Sequence, residues 1–252
     1  MKPQQQSLPE QFGADCSLFL DFDGTLVDLA ARPEGVSASP SLLETLSALR
    51  DALGGALAVV SGRPIEQIDH FLAPLELAAA GVHGAERRGA DGRMVLADVA
   101  SLEAVESAAE ALVHRHPALL IERKRGSLAL HYRAAPELQA ECTAAMKAAV
   151  AASDGLVLLP GKMVLEAKSA GIGKGGAIAA LLREAPFEGR TPVFIGDDVT
   201  DEAGFEAVQA AGGVGIKVGP EDSVAQYRLD SPQAVRTALA MAAKALADRA
   251  AT

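Results

Sequence analysis

The sequence predicts an α/β fold, in which a doubly wound parallel sheet is interrupted by an inserted α+β domain. Short, entirely apolar segments such as ALAVV (56–60) and PVFIG (192–196) are typical of strands covered on both faces of a parallel sheet. Segments with helical spacing of apolar residues alternate with these strands. The middle of the chain instead repeats a helix-and-hairpin unit. We therefore predict a core formed by 1–97 and 169–252 and an insert at 98–168.

The core elements are predicted in order along the chain. A helix is predicted to open at Ser39-Pro40, since proline is tolerated in the first turn of a helix, and to end at Gly54-Gly55. The second strand runs into the polar segment Ser61-Gly62-Arg63-Pro64, and another helix follows. The predicted core strands are 17–23, 56–60, 192–196 and 214–218.

The insert is predicted to contain two helices and two hairpins. Its first hairpin turns at Arg125-Gly126-Ser127 and its second around Pro160-Gly161, where glycine and proline favour turns. The predicted elements are a helix at 101–115, strands at 118–124 and 128–133, a helix at 136–152 and a hairpin at 156–168.

Length and charge restrict the classes of function. The 252 residues, 49% hydrophobic, are enough for one large or two modest domains. A formal net charge of −10 argues against a nucleic-acid partner or an anionic membrane surface. We expect no signal peptide and no membrane span, because neither kind of apolar run is present. Cys16 and Cys142 have no disulfide or metal spacing, so we expect reduced thiols and a cytoplasmic protein.

Several carboxylates stand at the predicted ends of buried strands, where desolvation is costly unless a cation or a chemical role compensates for it. Asp21 can attack phosphorus as a nucleophile. Asp23 can protonate the leaving oxygen and then help to deprotonate a water molecule. Asp197, Asp198 and Asp201 add oxygen ligands of the kind that Mg²⁺ prefers.

Phosphoryl transfer also needs positive and hydrogen-bonding groups, and Thr25, Ser61 and Lys174 can supply them. The alternative is that the aspartates only terminate strands, but their combination with a strand-end serine favours a phosphoryl-transfer site. The segment GIGKGG (171–176) matches a dinucleotide-binding pattern, yet it does not follow the first strand of a βαβ unit. We therefore interpret Lys174 as a phosphate ligand.

These motifs resemble those of the haloacid dehalogenase (HAD) superfamily of phosphatases, in the same order. They are DFDGT, SGR, a lysine and GDDVTDE, at 21–25, 61–63, 174 and 196–202. The resemblance implies a Rossmann-like core and an insert of the type-IIB cap class, which selects the substrate. Asp23 favours a phosphatase over a dehalogenase, because a halide leaving group needs no proton.

The resemblance also implies roles for individual residues. Asp21 is the implied nucleophile and Asp23 the implied general acid and base. Mg²⁺ is the implied cofactor, held by Asp21, the backbone carbonyl of Asp23 and Asp197, with Asp198 and Asp201 beside them. The core residues implied to bind substrate are Thr25, Ser61, Gly62, Arg63 and Lys174.

The insert carries charged residues of both signs. Strand alternation places Glu122 and Lys124 on one face, His131 and Arg133 on one face of the next strand, and Lys162 and Glu166 together in the second hairpin. Such a face suits a polyhydroxylated ligand, because carboxylates accept hydrogen bonds from sugar hydroxyls and cationic groups donate to them. A plain solvated sheet face is the alternative.

Within the superfamily the chain resembles the trehalose-6-phosphate phosphatases, through AGVHGAERR (80–88), ERK, HYR and GKMVLEAKSAGIGKG (161–175). This resemblance implies hydrolysis of trehalose 6-phosphate to trehalose and phosphate, and a functional pairing with a trehalose-6-phosphate synthase. His83 and Gly84 are implied to line the crevice beside the substrate. The residues implied to hold the glucose unit without phosphate are Glu122, Lys124, Arg133, Lys162 and Glu166.

Other functions remain open at this point. A sucrose-6-phosphate or mannosyl-3-phosphoglycerate phosphatase would use the same core with a different insert. A receiver-type signalling domain also carries a phospho-acceptor aspartate, but it would be about half as long, would lack the insert and would not need Asp23.

Overall fold

A computed structural model of the chain describes residues 13–30, 35–161 and 163–250. These residues form two compact units. One is Ala97–Ile172, and the other consists of the described residues on either side of it. The predicted insert, 98–168, differs from the first unit by one residue at its start and four at its end.

The strands and helices alternate over most of the chain. The strands are β1 (Cys16–Leu20), β2 (Leu57–Val60), β3 (Ala78–Gly81), β4 (Glu86–Arg88), β5 (Met94–Leu96), β6 (Leu120–Lys124), β7 (Ser127–His131), β8 (Leu156–Gly161), β9 (Val164–Ser169), β10 (Thr191–Gly196), β11 (Val214–Val218) and β12 (Tyr227–Leu229). The helices are α1 (Pro40–Ala52), α2 (Ile65–Leu72), α3 (Glu103–Arg115), α4 (Gln139–Ala151), α5 (Lys174–Leu181), α6 (Glu202–Ala210) and α7 (Pro232–Ala250).

The larger sheet belongs to the first and last parts of the chain. Its order is β12-β11-β10-β1-β2-β3-β4-β5, with parallel pairing from β12 to β3 and antiparallel pairing at β4 and β5. The chain proceeds from β1 to β2 on one side and from β10 to β11 on the other. The strand order therefore reverses between β1 and β10, and ligands bind at such a switch point in open α/β sheets. The predicted fold class is confirmed.

Apolar burial and local capping explain these elements. Strands β1, β2 and β10 are buried almost throughout, as expected for a sheet covered on both faces. Helix α1 begins after Ser39, whose hydroxyl accepts a hydrogen bond from the Leu42 N–H at 3.2 Å. Helices α5 and α6 pack closely at Gly175, where a Cβ atom would lie 2.3 Å from the Ala203 carbonyl oxygen. That close approach fixes the start of α5, which carries Lys174.

The unit Ala97–Ile172 is a four-stranded antiparallel sheet, in the order β6-β7-β9-β8, with α3 and α4 packed on one face. Its core includes Leu112, Met146, Leu128, Leu130 and Leu165. Because side chains alternate along a strand, the other face carries Glu122, Lys124, His131 and Glu166. Among the described helices of the whole chain, none has the length and apolar character to cross a membrane.

The structure differs from the predicted elements in a few places. Strand β1 ends at Leu20 rather than residue 23, because the chain turns at Phe22, whose carbonyl accepts from the N–H groups of Leu26 and Val27. The predicted helix at 136–152 starts with a 3-10 turn, and its α-helical part begins only at Gln139. The sequence analysis missed strand β3 (AAAG), because a run of alanine lacks the β-branched residues typical of strands.

Candidate active site

Three aspartates form a cluster where the strand order reverses. Asp21 follows β1, Asp197 follows the neighbouring β10, and Asp201 lies in the 3-10 turn after β10. One carboxylate oxygen from each lies within 4.8 Å of the others. Asp21 and Asp201 are buried. Because the strands are parallel, their carboxyl ends meet at one edge of the sheet, and the strand-end prediction placed these side chains correctly.

Lys174 joins two of these carboxylates. Its Nζ lies 2.6 Å from both Asp21 Oδ1 and Asp201 Oδ1. Burial opposes a charge on Lys174, but the neighbouring carboxylates outweigh burial and raise its pKa. The ammonium is therefore retained. With all four groups ionised, three carboxylates and one ammonium leave two negative charges, which a divalent cation would neutralise.

Without a cation, protonation of an aspartate can reduce the negative charge of the cluster. Burial and then the nearby Asp21 charge raise the pKa of Asp197 to about 7. The oxygens of Asp201 already have partners, since Oδ1 accepts from Lys174 and Oδ2 accepts from the Asp198 N–H at 2.9 Å. Asp21 and Asp197 are thus the carboxylates best placed to hold a cation, and the cluster fits a hard divalent ion that prefers oxygen ligands.

The Asp198 carboxylate lies outside this cluster, although the sequence analysis counted it among the metal residues. Its Oδ1 accepts from the Val199 N–H at 2.7 Å and its Oδ2 from the Thr200 hydroxyl at 3.4 Å. Asp198 is therefore the N-cap of the turn that carries Asp201. Asp201 takes the third place in the cluster.

Gly24 and Thr25 hold Asp197 from the β1 side. The Thr25 hydroxyl is buried and donates to Asp197 Oδ1 at 3.3 Å. Gly24 has φ +76°, and a Cβ atom there would lie 2.1 Å from Asp197 Oδ2. Thr25 was predicted to bind substrate, but in this structure its hydroxyl orients Asp197.

Lys217 supports Asp197 from β11, and the sequence analysis missed it. This buried lysine donates to the Asp197 carbonyl oxygen, and to the Val218 carbonyl oxygen at 2.7 Å. A lysine inside the apolar strand VGIKV is an identifiable signal, because a buried ammonium requires acceptors.

Asp23 has a separate cationic partner. Arg63 binds its carboxylate through two hydrogen bonds, Nε to Oδ2 at 2.6 Å and Nη2 to Oδ1 at 2.7 Å. The guanidinium carbon lies 4.9 Å from the ring centroid of Phe71 and 5.7 Å from that of Phe22. Arg63 was predicted to bind substrate, whereas its fork here is occupied by Asp23.

The other predicted core residues lie along the end of β2 and β3. Ser61 is buried, its Oγ accepts from the Arg63 N–H at 3.1 Å, and its carbonyl accepts from the His83 N–H at 2.9 Å. A Cβ atom on Gly62 would lie 2.7 Å from the His83 ring, so the ring can occupy this position only because residue 62 is glycine. His83 and Gly84 have φ values of 55° and 105°, a left-handed turn that sets the ring direction.

The polar face of Ala97–Ile172 is organised around Glu122. Its carboxylate accepts from Lys124 Nζ at 3.0 Å and lies 3.0 Å from His131 Nε2. Burial opposes ionisation of Glu122, but Lys124 and His131 outweigh it and lower the pKa of Glu122. Sheet register places Ala129 between Glu122 and Glu166, so a small side chain separates two carboxylates.

Two predicted residues of this face remain to be placed. Arg133 is exposed, two residues beyond the end of β7. Lys162 lies outside the described residues.

Proteins of known family resemble this chain in sequence. The family model described as trehalose-phosphatase matches residues 19–233. A probable trehalose-phosphate phosphatase from Sinorhizobium fredii is 44% identical over 206 residues, which cover 81% of this chain and 78% of that protein. A trehalose-6-phosphate phosphatase from Escherichia coli is 37% identical over 221 residues, 87% of this chain and 83% of that protein.

Solved structures show the same fold. The C-terminal domain of a Candida albicans trehalose-6-phosphate phosphatase matches with a TM-score of 0.79 and 19% identity, over 97% of this chain and 99% of that chain. A HAD-superfamily phosphatase from Bacteroides thetaiotaomicron matches with a TM-score of 0.65 and 16% identity, over 96% of this chain and 98% of that chain. The predicted resemblance is therefore confirmed.

Proposed function

Because this chain belongs to the trehalose-phosphatase family, we propose that it hydrolyses trehalose 6-phosphate to trehalose and phosphate. The observation that carries the proposal is the buried Asp21 at a strand switch point, bound to Lys174 at 2.6 Å and clustered with Asp197. A nucleophilic carboxylate, a fixed cation and a divalent-ion site are the parts that phosphoryl transfer needs.

The first half of the proposed reaction transfers the phosphoryl group to the enzyme. An oxygen of Asp21 attacks phosphorus, a new O–P bond forms, and the bond between phosphorus and the sugar oxygen breaks. Asp23 gives its proton to that sugar oxygen, so trehalose leaves as a neutral alcohol. Asp21 becomes an aspartyl-phosphate and Asp23 a carboxylate.

The second half regenerates both residues. Asp23 takes a proton from water, the water oxygen attacks phosphorus, and the bond from phosphorus to Asp21 breaks. Inorganic phosphate leaves, Asp21 is a carboxylate again and Asp23 is protonated for the next cycle. Lys174 stabilises negative charge beside Asp21 throughout, and Ser61 and Gly62 are proposed to bind the phosphoryl oxygens.

Asp21 and Asp197 would hold Mg²⁺, together with the backbone carbonyl of Asp23. The ion would supply positive charge that lets a phosphate dianion approach a carboxylate. Thr25, Gly24 and Lys217 keep Asp197 in place for this purpose, and the two uncompensated negative charges of the cluster support a divalent ion.

We further propose that Ala97–Ile172 acts as the substrate-specificity cap and the remaining chain as the catalytic core. The residues proposed to hold the glucose unit without phosphate are Glu122, Lys124, Arg133, Lys162 and Glu166. A synthase that transfers glucose onto glucose 6-phosphate must supply the substrate, so functional pairing with such an enzyme is expected. Buried free thiols at Cys16 and Cys142 support a cytoplasmic setting.

Phosphate release from a panel of sugar phosphates tests the substrate. We expect the highest kcat/KM for trehalose 6-phosphate, and no release in buffer with excess chelator. A preference for sucrose 6-phosphate or mannosyl-3-phosphoglycerate would keep the phosphatase chemistry but replace the substrate. Absence of activity towards every phosphate ester in the presence of Mg²⁺ would remove the enzymatic proposal.

A further inference from the structure

Asp23, two residues after Asp21 of the aspartate cluster, forms an ion pair with Arg63. Each of the two carboxylate oxygens of Asp23 accepts one hydrogen bond from the guanidinium. We propose that Arg63 is a positioning residue that holds the Asp23 carboxylate for proton transfer to the leaving group and from water. This inference rests on the proposed function, because it concerns the residue that is proposed there as general acid and base.

The geometry fixes the carboxylate in one plane. Two parallel N–H···O bonds of 2.6 and 2.7 Å define both the position and the rotation of the carboxylate, which one bond from a lysine could not do. Arg63 is 9% exposed, so solvent competes little for its guanidinium, while the Asp23 side chain remains 30% exposed. General acid–base catalysis requires such positioning, because the proton must travel a hydrogen-bond distance.

Arg63 is itself held from several directions. Its backbone N–H donates to Ser61 Oγ, and its guanidinium lies over the rings of Phe22 and Phe71. Its Nη1 also lies 3.4 Å from Gln67 Oε1. A side chain restrained in this way can orient a fixed partner such as Asp23. It is poorly suited to move together with a bound substrate.

A second Arg–Asp pair in the same unit provides a matched control. Arg88 binds Asp69 through two bonds of 2.7 and 2.6 Å. The side chains of Arg88 and Asp69 are 12% and 32% exposed, compared with 10% and 30% for Arg63 and Asp23. Arg88 uses Nη1 and Nη2, whereas Arg63 uses Nε and Nη2, and Arg88 also donates to the Leu77 carbonyl oxygen. Arg88→Met therefore removes a two-bond Arg–Asp pair of similar distances and burial without touching Asp23.

The test measures kcat/KM for a series of substituted phenyl phosphates, from phenyl to 4-nitrophenyl, in unmutated enzyme, R63M, D23N and R88M. These esters have similar size and carry no sugar, but they differ in how much the leaving oxygen needs a proton. We expect R63M to steepen the dependence of kcat/KM on leaving-group pKa, with a loss of about tenfold to hundredfold for phenyl phosphate and much less for 4-nitrophenyl phosphate. R88M should leave the slope unchanged.

D23N separates this inference from the function on which it rests. In the D23N background, R63M should cause no further loss for phenyl phosphate, because both changes act through one group. If D23N itself leaves the slope unchanged, the proposed acid role fails. If D23N steepens the slope and R63M does not, the positioning role of Arg63 is overturned while the proposed function stands.

Other outcomes are equally decisive. An equal loss for all phenyl phosphates in R63M would make Arg63 a phosphate ligand and overturn the inference. If R63M unfolds, R63K replaces it, since it retains the positive charge but cannot bind both oxygens in one plane. The slope should then steepen in R63K too, and an unchanged slope would refute the role.

Discussion

Gly24 has a backbone conformation that favours glycine, and it also lies against the Asp197 carboxylate. We predict that Gly24→Ala damages metal-dependent activity far more than it damages stability. Gly24 has φ +76°, a backbone region that costs a residue with a Cβ roughly 1–2 kcal/mol. The same Cβ would lie 2.1 Å from Asp197 Oδ2, well inside van der Waals contact. Asp197 must therefore move by about 1 Å, and displacements of that size can lower catalytic rates about a hundredfold.

Gly212 supplies the control for the backbone term. It has φ +78°, and a Cβ atom there meets no atom within 4 Å. Gly212→Ala should thus carry the same backbone cost with no effect on Asp197. We expect both variants to lose roughly 1–2 kcal/mol in urea unfolding without metal.

The assay is phosphate release from trehalose 6-phosphate as a function of Mg²⁺ concentration. Gly24→Ala should need more Mg²⁺ for half-maximal activity and should lose about a hundredfold in kcat/KM. Gly212→Ala should match the unmutated enzyme in both quantities at a temperature where it is folded. Equal activity of the two variants would refute the argument that Gly24 is required for the approach of Asp197.

The remaining predictions concern the other parts of the site. Asp21→Asn should reduce turnover below about a hundredth with little change in melting temperature, because the amide is nearly isosteric but a poor nucleophile; near-normal turnover would exclude Asp21 as nucleophile. Glu166→Ala should lower kcat/KM for trehalose 6-phosphate about tenfold or more while sparing 4-nitrophenyl phosphate, since remote contacts help to orient only the larger substrate; an equal effect on both would contradict a sugar-binding face. In metal-free protein the raised pKa of Asp197, about 7 against 3.8, adds stability that is lost as pH rises between about 4 and 7. Mg²⁺ competes with that proton, so its stabilising effect in thermal unfolding should grow from pH 5 to pH 8, and a pH-independent effect would argue against Asp197 as a ligand.

The strand ends could be predicted because they depend on general rules. Apolar strands identify a parallel sheet, and the carboxyl ends of its strands carry the ligand site. This rule predicts that Asp21, Asp197 and Asp201 lie close together, as they do, and the start of α5 places Lys174 beside them. The sequence did not show that the Asp198 carboxylate accepts hydrogen bonds within its own turn, since capping bonds are not visible in the order of residues.

The hydrogen-bond partners of individual side chains could not be predicted, because they depend on where each side chain points within a few ångströms. Thr25 and Arg63 both looked like substrate ligands, but their donors are directed at Asp197 and Asp23. Lys217 was missed because it lies within an apolar strand. Its buried ammonium requires hydrogen-bond acceptors, which here are backbone carbonyl oxygens. These contacts decide which polar groups remain available to a substrate.

The different partners of Asp21 and Asp23 show how one short motif yields two chemical roles. The two carboxylates are chemically identical and only two residues apart, but the chain turns at Phe22 between them. Asp21 therefore points towards Lys174 and the aspartate cluster, which is the position required of the proposed nucleophile. Asp23 instead points towards Arg63, which forms an ion pair with no other carboxylate among the described residues. Because Asp21 and Asp23 bind different cations, a substitution of Arg63 leaves the bond between Lys174 and Asp21 in place, and the contributions of the two aspartates can be separated by mutation.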